Sequence, residues 1–175
     1  MKALALALTL AFVVPLAACA AATPPATTVP FRGAPATVLV FYSPHCHCLA
    51  AHEPRLLALY ERYHPRGVQF YFVDSEVGAT PERDAAEVRA HAYPFSIVTD
   101  AGAKLADRVD AQYASYTVVA DAQGRIRYRG GIDSDAIHLT DDATPYLADA
   151  LDDLLAGRDP RRPEAKALGC ALQKW

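Results

Sequence analysis

No run of lysine or arginine and no basic patch interrupts the chain. With 17 basic against 20 acidic residues the formal net charge is −3, so nothing offers the phosphate-neutralising surface that nucleic-acid binding needs, and the small acidic excess reads as solvated surface. No internal repeat and no second domain is found, which leaves one core to be built from 175 residues, about half of them apolar. Cysteine is scarce, at four residues, and lacks the two-pair spacing of a closed zinc site. The acids from Asp133 to Asp142 lack the regular short spacing of a calcium loop. With Gly130-Gly131 they read as an acidic surface loop.

Met1 and Lys2 precede a charge-free run, Ala3 to Leu16, with the length and character of a secretory apolar region. It ends in Leu16-Ala17-Ala18-Cys19, which resembles the bacterial lipobox, where cleavage precedes a cysteine that is then lipidated. An uncleaved span from Ala3 to Ala22 is the alternative, but Pro15 and the Ala-Ala-Cys ending suit a processed segment better. Residues 1–18 are therefore read as a signal peptide, and 19–36, rich in Ala, Thr and Pro, as the lipidated cysteine with a tether. Both readings place the rest of the chain outside the cytoplasm. By resemblance to such lipoproteins, Ala20 rather than Asp after Cys19 points to the periplasmic face of the outer membrane. If Cys19 is acylated, Cys46, Cys48 and Cys170 remain. Where disulfides persist, that odd count leaves at least one thiol free, metal-bound or exchanging, which favours active over structural cysteines.

The central stretch is Val38-Leu39-Val40-Phe41-Tyr42-Ser43-Pro44-His45-Cys46-His47-Cys48. Its apolar, β-branched and aromatic start reads as a buried strand, Ser-Pro as a turn, and Leu49 to Tyr63 as a helix. Two cysteines thus stand at a helix N-terminus, where unpaired N–H groups and the helix dipole suit a thiolate nucleophile. A second strand is expected over Val68 to Val73, parallel to the first. A helix follows over Thr80 to His91, capped by Thr80 with Pro81 at its first position. Next come a strand at Phe95 to Thr99, a short helix at Ala103 to Val109, and a hairpin of Tyr116 to Ala120 with Arg125 to Arg129. The last helix is Tyr146 to Ala156, with Thr144 as cap, Pro145 at its first position and Gly157 as stop. Tyr60, Tyr63, Phe70 and Phe72 read as core packing.

Phe41-Tyr42-Ser43-Pro44-His45-Cys46, with Pro54 eight residues after the cysteine, resembles the active-site strand and kinked helix of thioredoxin-like redoxins. The resemblance runs from Thr37 to Ala156 and includes Val68 to Asp74 and Tyr116 to Gly130. It implies an α/β, thioredoxin-like fold, with a central mixed β-sheet flanked by helices, over residues 37–157, followed by a C-terminal tail over 158–175. It further implies a thiol-disulfide oxidoreductase with Cys46 as attacking thiol, no cofactor, and protein or small-molecule thiols and disulfides as partners.

The family's usual pair is C-x-x-C, whereas here Leu49 holds the second-cysteine place and Cys48 comes one residue early. If the helix included both cysteines, their side chains would point to nearly opposite sides, so Cys48 resolves only through an irregular first turn. Cys170, in a tail that can fold back over the site and that ends in Trp175, is the other candidate resolver. Ala114-Ser115 stands where the family carries the cis-proline that faces the active cysteine and docks substrate. These two residues are the substrate-binding candidates, and without proline the bond between them is expected trans.

His45, His47 and His52 with the two cysteines give an alternative, a copper- or zinc-binding protein on the same fold, since thiolate and imidazole suit Cu(I) and Zn(II). A third class is a binding module without catalysis. For peroxidase chemistry the motif of peroxiredoxins is only half matched: Ser43 fits the hydroxyl place and Leu39 stands at the proline place, with Arg125, Arg127 and Arg129 as candidate partners.

Overall fold

The structure, a computed structural model, describes residues 30–175. The expected signal segment, Cys19 and most of the tether lie outside the described residues. Strand β1 (Ala36–Tyr42) is buried along its whole length, as expected of an apolar run covered on both faces. Helix α1 (His47–Tyr63) follows it, ending in a single 3₁₀ turn, His64–Arg66, where Gly67 adopts a positive φ of 88°. Strand β2 (Gln69–Asp74) then pairs parallel with β1, Thr37 opposite Gln69 and Tyr42 opposite Asp74. Helix α2 (Pro81–His91) starts as its sequence dictates, with the Thr80 side chain accepting from the Arg83 N–H. Strand β3 (Ile97–Thr99) extends the parallel set.

Helix α3 (Lys104–Val109) leads to β4 (Thr117–Asp121), which runs antiparallel to β1, and β5 (Ile126–Gly130) pairs antiparallel with β4. The sheet order is β3-β2-β1-β4-β5, a mixed sheet with β1 at its centre and its carboxyl end feeding the Cys46 turn. Helix α4 (Tyr146–Leu155) buries Leu147, Ala150 and Leu151. Its cap differs from the sequence expectation by one residue. Pro145, not Thr144, stands at the N-cap with no side-chain bond, and the Tyr146 N–H is satisfied by the Thr144 carbonyl.

Two packing features hold the frame. Phe72 meets Tyr93 and Phe95 edge-on with ring centroids 5.0 Å apart, the arrangement the aromatic quadrupole favours. After α4, the buried Asp153 carboxylate accepts from the guanidinium groups of Arg158 and Arg161 and from the Arg161 backbone N–H. Arg161, then Arg158, hold that carboxyl well below the usual carboxylate range.

From there the chain turns back along the sheet edge. Arg129 of β5 donates to the Pro163 carbonyl and accepts from the Ala165 N–H, each at 3.0 Å. Gly130 permits that approach, because a Cβ there would lie 2.5 Å from the Ala165 carbonyl oxygen.

Candidate active site

Cys46 is the N-cap of α1, in extended conformation with φ −86° and ψ 104°. The helix therefore begins one residue later, at His47. The geometric objection to a pair at i and i+2 depends on both residues being helical, and Cys46 is not. Its sulfur accepts from the Leu49 N–H at 3.4 Å, the ordinary capping contact. It also accepts from the Cys170 N–H at 3.4 Å, which arrives from 124 residues away. Two amides thus point at one sulfur at the positive end of a helix, in a position only 2% exposed.

The tail brings Cys170 to this point, and Cys48 lies beside both. All three are free thiols. Burial first, then the adjoining Cys46 sulfur, push the Cys48 thiol up from its ordinary value. Cys170 is pushed up by burial and by Cys46 as well, while the backbone N–H groups of His47 and Cys48 pull it partly back. The three sulfurs are therefore unlike. Cys46 is the buried N-cap that accepts from two backbone N–H groups, and Cys48 and Cys170 are its neighbours, both biased toward the neutral thiol.

Ala114 and Ser115 also reach the site. Every peptide bond among the described residues is trans, the Ala114–Ser115 bond included, and Ser115 has a φ of +70°. Its N–H donates to the Phe41 carbonyl at 2.8 Å, tying the loop to the end of β1. Both residues are buried, but beneath this chain's own tail. The Ala114 N–H donates to the Cys170 carbonyl at 2.9 Å, and Ser115 Oγ donates to the Leu168 carbonyl at 2.9 Å.

The histidines do not converge with the cysteines. His45 and His47 are exposed, and His52 is buried with both ring nitrogens occupied. Its Nδ1 lies 2.7 Å from the Cys48 carbonyl oxygen and its Nε2 lies 3.1 Å from Asp133 Oδ1. His52 thus ties the first turns of α1 to the loop after β5. Among the described residues no group of three or more His, Cys, Asp or Glu side chains is arranged to hold a metal ion. The structure corrects the reading of Asp133 as part of an acidic surface loop. Asp133 is not a surface acid but a buried carboxylate that also accepts from Arg55 Nη1 at 2.6 Å and from the Asp135 N–H at 2.8 Å.

Two of the three candidate peroxide-binding arginines lie at the far end of the sheet. Arg125 and Arg127 bond Asp121, which pairs with Ala36 at the start of β1, opposite the end that leads to Cys46. Arg129 lies 3.7 Å from Glu164.

No family model and no curated protein matches the chain. Solved structures do. A crystal structure of an uncharacterised conserved protein from Geobacillus kaustophilus is 28% identical with a TM-score of 0.72, the match covering 82% of this chain and 78% of that one. A hypothetical protein from Sinorhizobium meliloti is 25% identical with a TM-score of 0.72, covering 81% and 80%. A putative thioredoxin from Neisseria meningitidis is 18% identical with a TM-score of 0.58, covering 77% and 91%.

The fold is thioredoxin-like.

On this thioredoxin-like frame Leu49, at the place the family gives its second cysteine, is buried and contributes an N–H to Cys46 rather than a thiol. The sequence alone did not point to Asp133, Gly169 or Lys174 as site residues. Their partners lie tens of residues away, so no local spacing marks them.

Proposed function

We propose that the protein is a thiol-disulfide oxidoreductase acting outside the cytoplasm, with Cys46 as attacking thiol and Cys48 or Cys170 as resolving thiol. The observation that carries this reading is the meeting of three thiols at the start of α1, with the Leu49 and Cys170 N–H groups both directed at the buried Cys46 sulfur. The Cys46 thiolate attacks a disulfide, forming a mixed disulfide and expelling one substrate thiolate. A second protein thiolate then attacks the Cys46 sulfur, releases the other substrate thiolate and leaves an intramolecular disulfide. A small-molecule or protein dithiol returns the protein to its reduced form. The extracytoplasmic setting and the lipid anchor rest on the Leu16–Cys19 motif. Incorporation of acyl chains into the full chain, abolished by Cys19→Ser, checks the anchor.

A copper- or zinc-binding role on the same fold has less support, because His52 is committed to Asp133 and the Cys48 carbonyl and the other two histidines face solvent.

The test is a single-turnover reaction of the reduced protein with excess glutathione disulfide, followed by mass spectrometry. A glutathione adduct on Cys46 is expected first, then its conversion to a protein disulfide. Because burial and the neighbouring sulfur raise the Cys48 and Cys170 thiols, their reactive thiolate fraction grows as pH rises. Conversion should therefore accelerate about tenfold per pH unit until the resolving thiol titrates. Absence of both the adduct and the protein disulfide at any pH would refute the proposal.

A further inference from the structure

The tail crosses the site as a bound peptide would. Beyond the Ala114–Cys170 bond, the Leu172 N–H donates to the Gln112 carbonyl at 3.0 Å, and Tyr113 forms an antiparallel bridge with Ala171. The segment 168–172 thus lies as an added strand on Gln112–Ser115 and covers Cys46. The approach is close enough to need glycine. A Cβ at Gly169 would stand 1.8 Å from the Ala114 carbonyl oxygen and 2.8 Å from Ser115 Oγ, distances no side chain tolerates.

Beyond the site the tail is pinned by one buried cation. The Lys174 side chain is 3% exposed, and its Nζ donates to Asp107 Oδ1 at 2.8 Å and to the Ala111 carbonyl at 3.2 Å. These partners lie at the carboxyl end of α3, where helix carbonyls favour a positive charge. The Val77 N–H adds a bond to the Gln173 carbonyl at 2.7 Å. Apolar anchoring is slight, since Leu172 is the only tail residue after Cys170 in the buried apolar core. A segment held by a few backbone bonds and one ion pair belongs to the low-stability end of a fold and opens locally.

We propose that residues 168–174 are a latch that sets which disulfides reach Cys46, with Gly169 and Lys174 as specificity-determining residues. Closed, the latch occupies the edge on which an extended polypeptide carrying a disulfide would lie. Open, it withdraws the Cys170 N–H from Cys46, leaves the Leu49 N–H on that sulfur, and frees the Ala114 N–H and the Gln112 carbonyl for that polypeptide. The rate at which a protein disulfide is attacked then scales with the open fraction. This inference rests on the reading of Cys46 as the attacking thiol.

The test is timed alkylation of the reduced full-length protein by iodoacetamide, with Cys46 and Cys48 quantified separately, in the wild type, Lys174→Ala and Asp107→Ala. Asp107 is half exposed, so its loss breaks the anchor without emptying a core position, and an unchanged thermal midpoint confirms that the fold is intact. Both variants are expected to label Cys46 about tenfold faster than the wild type, the effect of removing one charged hydrogen bond from the closed state. Insulin reduction should rise with it. Equal Cys46 labelling in all three proteins would overturn the latch. Failure of the oxidoreductase reading looks different: faster labelling in the variants, with no glutathione disulfide exchange in any of them.

Discussion

Cys46→Ser reduces disulfide exchange to the uncatalysed background, while the fold persists. Serine is a better N-cap than cysteine, so the Leu49 N–H keeps an acceptor and α1 keeps its start. What is lost is the nucleophile, because a serine oxygen forms no mixed disulfide. The same assay sorts the two remaining thiols. The variant of Cys48 or Cys170 that removes the resolver should still form the glutathione adduct on Cys46 but hold it, whereas the other should resolve it at close to the wild-type rate. Glutathione disulfide reduction, followed by adduct mapping, measures all three. Wild-type turnover by Cys46→Ser would remove Cys46 from the mechanism.

Asp133→Ala is expected to give the largest stability loss of any single polar substitution near the site. The carboxylate is buried and serves the buried His52, the partly buried Arg55 and the Asp135 N–H together. Removing it leaves charged and polar donors facing a void in low dielectric. Breaking such a pair costs about 3–5 kcal/mol, and the lower end applies because Arg55 retains Asp135 and the Thr140 carbonyl. A loss of about 3 kcal/mol corresponds to a fall in thermal midpoint of roughly 6–12 °C for a chain of this size. Asp133→Asn, which still offers His52 an oxygen, should lose about half as much. Thermal denaturation of both variants checks the ranking, and unchanged midpoints would show that the loop after β5 does not hold α1.

The parts of the fold legible in the sequence are those set by short-range rules. The run Val38 to Tyr42 is apolar on both faces and becomes the central strand, Ser-Pro turns the chain, and Thr80-Pro81 starts α2 as capping chemistry requires. Boundaries moved where two signals compete. Phe95 looks like strand yet lies before β3, because it serves the aromatic cluster with Phe72 and Tyr93. Thr144 looks like a cap, yet Pro145 takes the place.

The site was legible as far as Cys46, since a thiol at a strand-to-helix junction is a local pattern. Two features were not. Asp133 sits among acids and glycines that read as surface, and its burial follows from partners 78 and 81 positions away. The seat of Cys170 depends on the fit of Gly169 against Ala114 and on Lys174 reaching α3. Neither contact leaves a spacing in the sequence, although the candidate pairing of Cys170 with the N-terminal cysteines could be named from it.

In the proposed mechanism the three thiols form a working redox set around Cys46. Its most direct test is peptide mapping by mass spectrometry of the full chain, equilibrated in graded glutathione buffers with thiols trapped by acid. A reversible disulfide between Cys46 and either Cys48 or Cys170 is expected, forming over a narrow range of poise. Three unpaired thiols at every poise would contradict it.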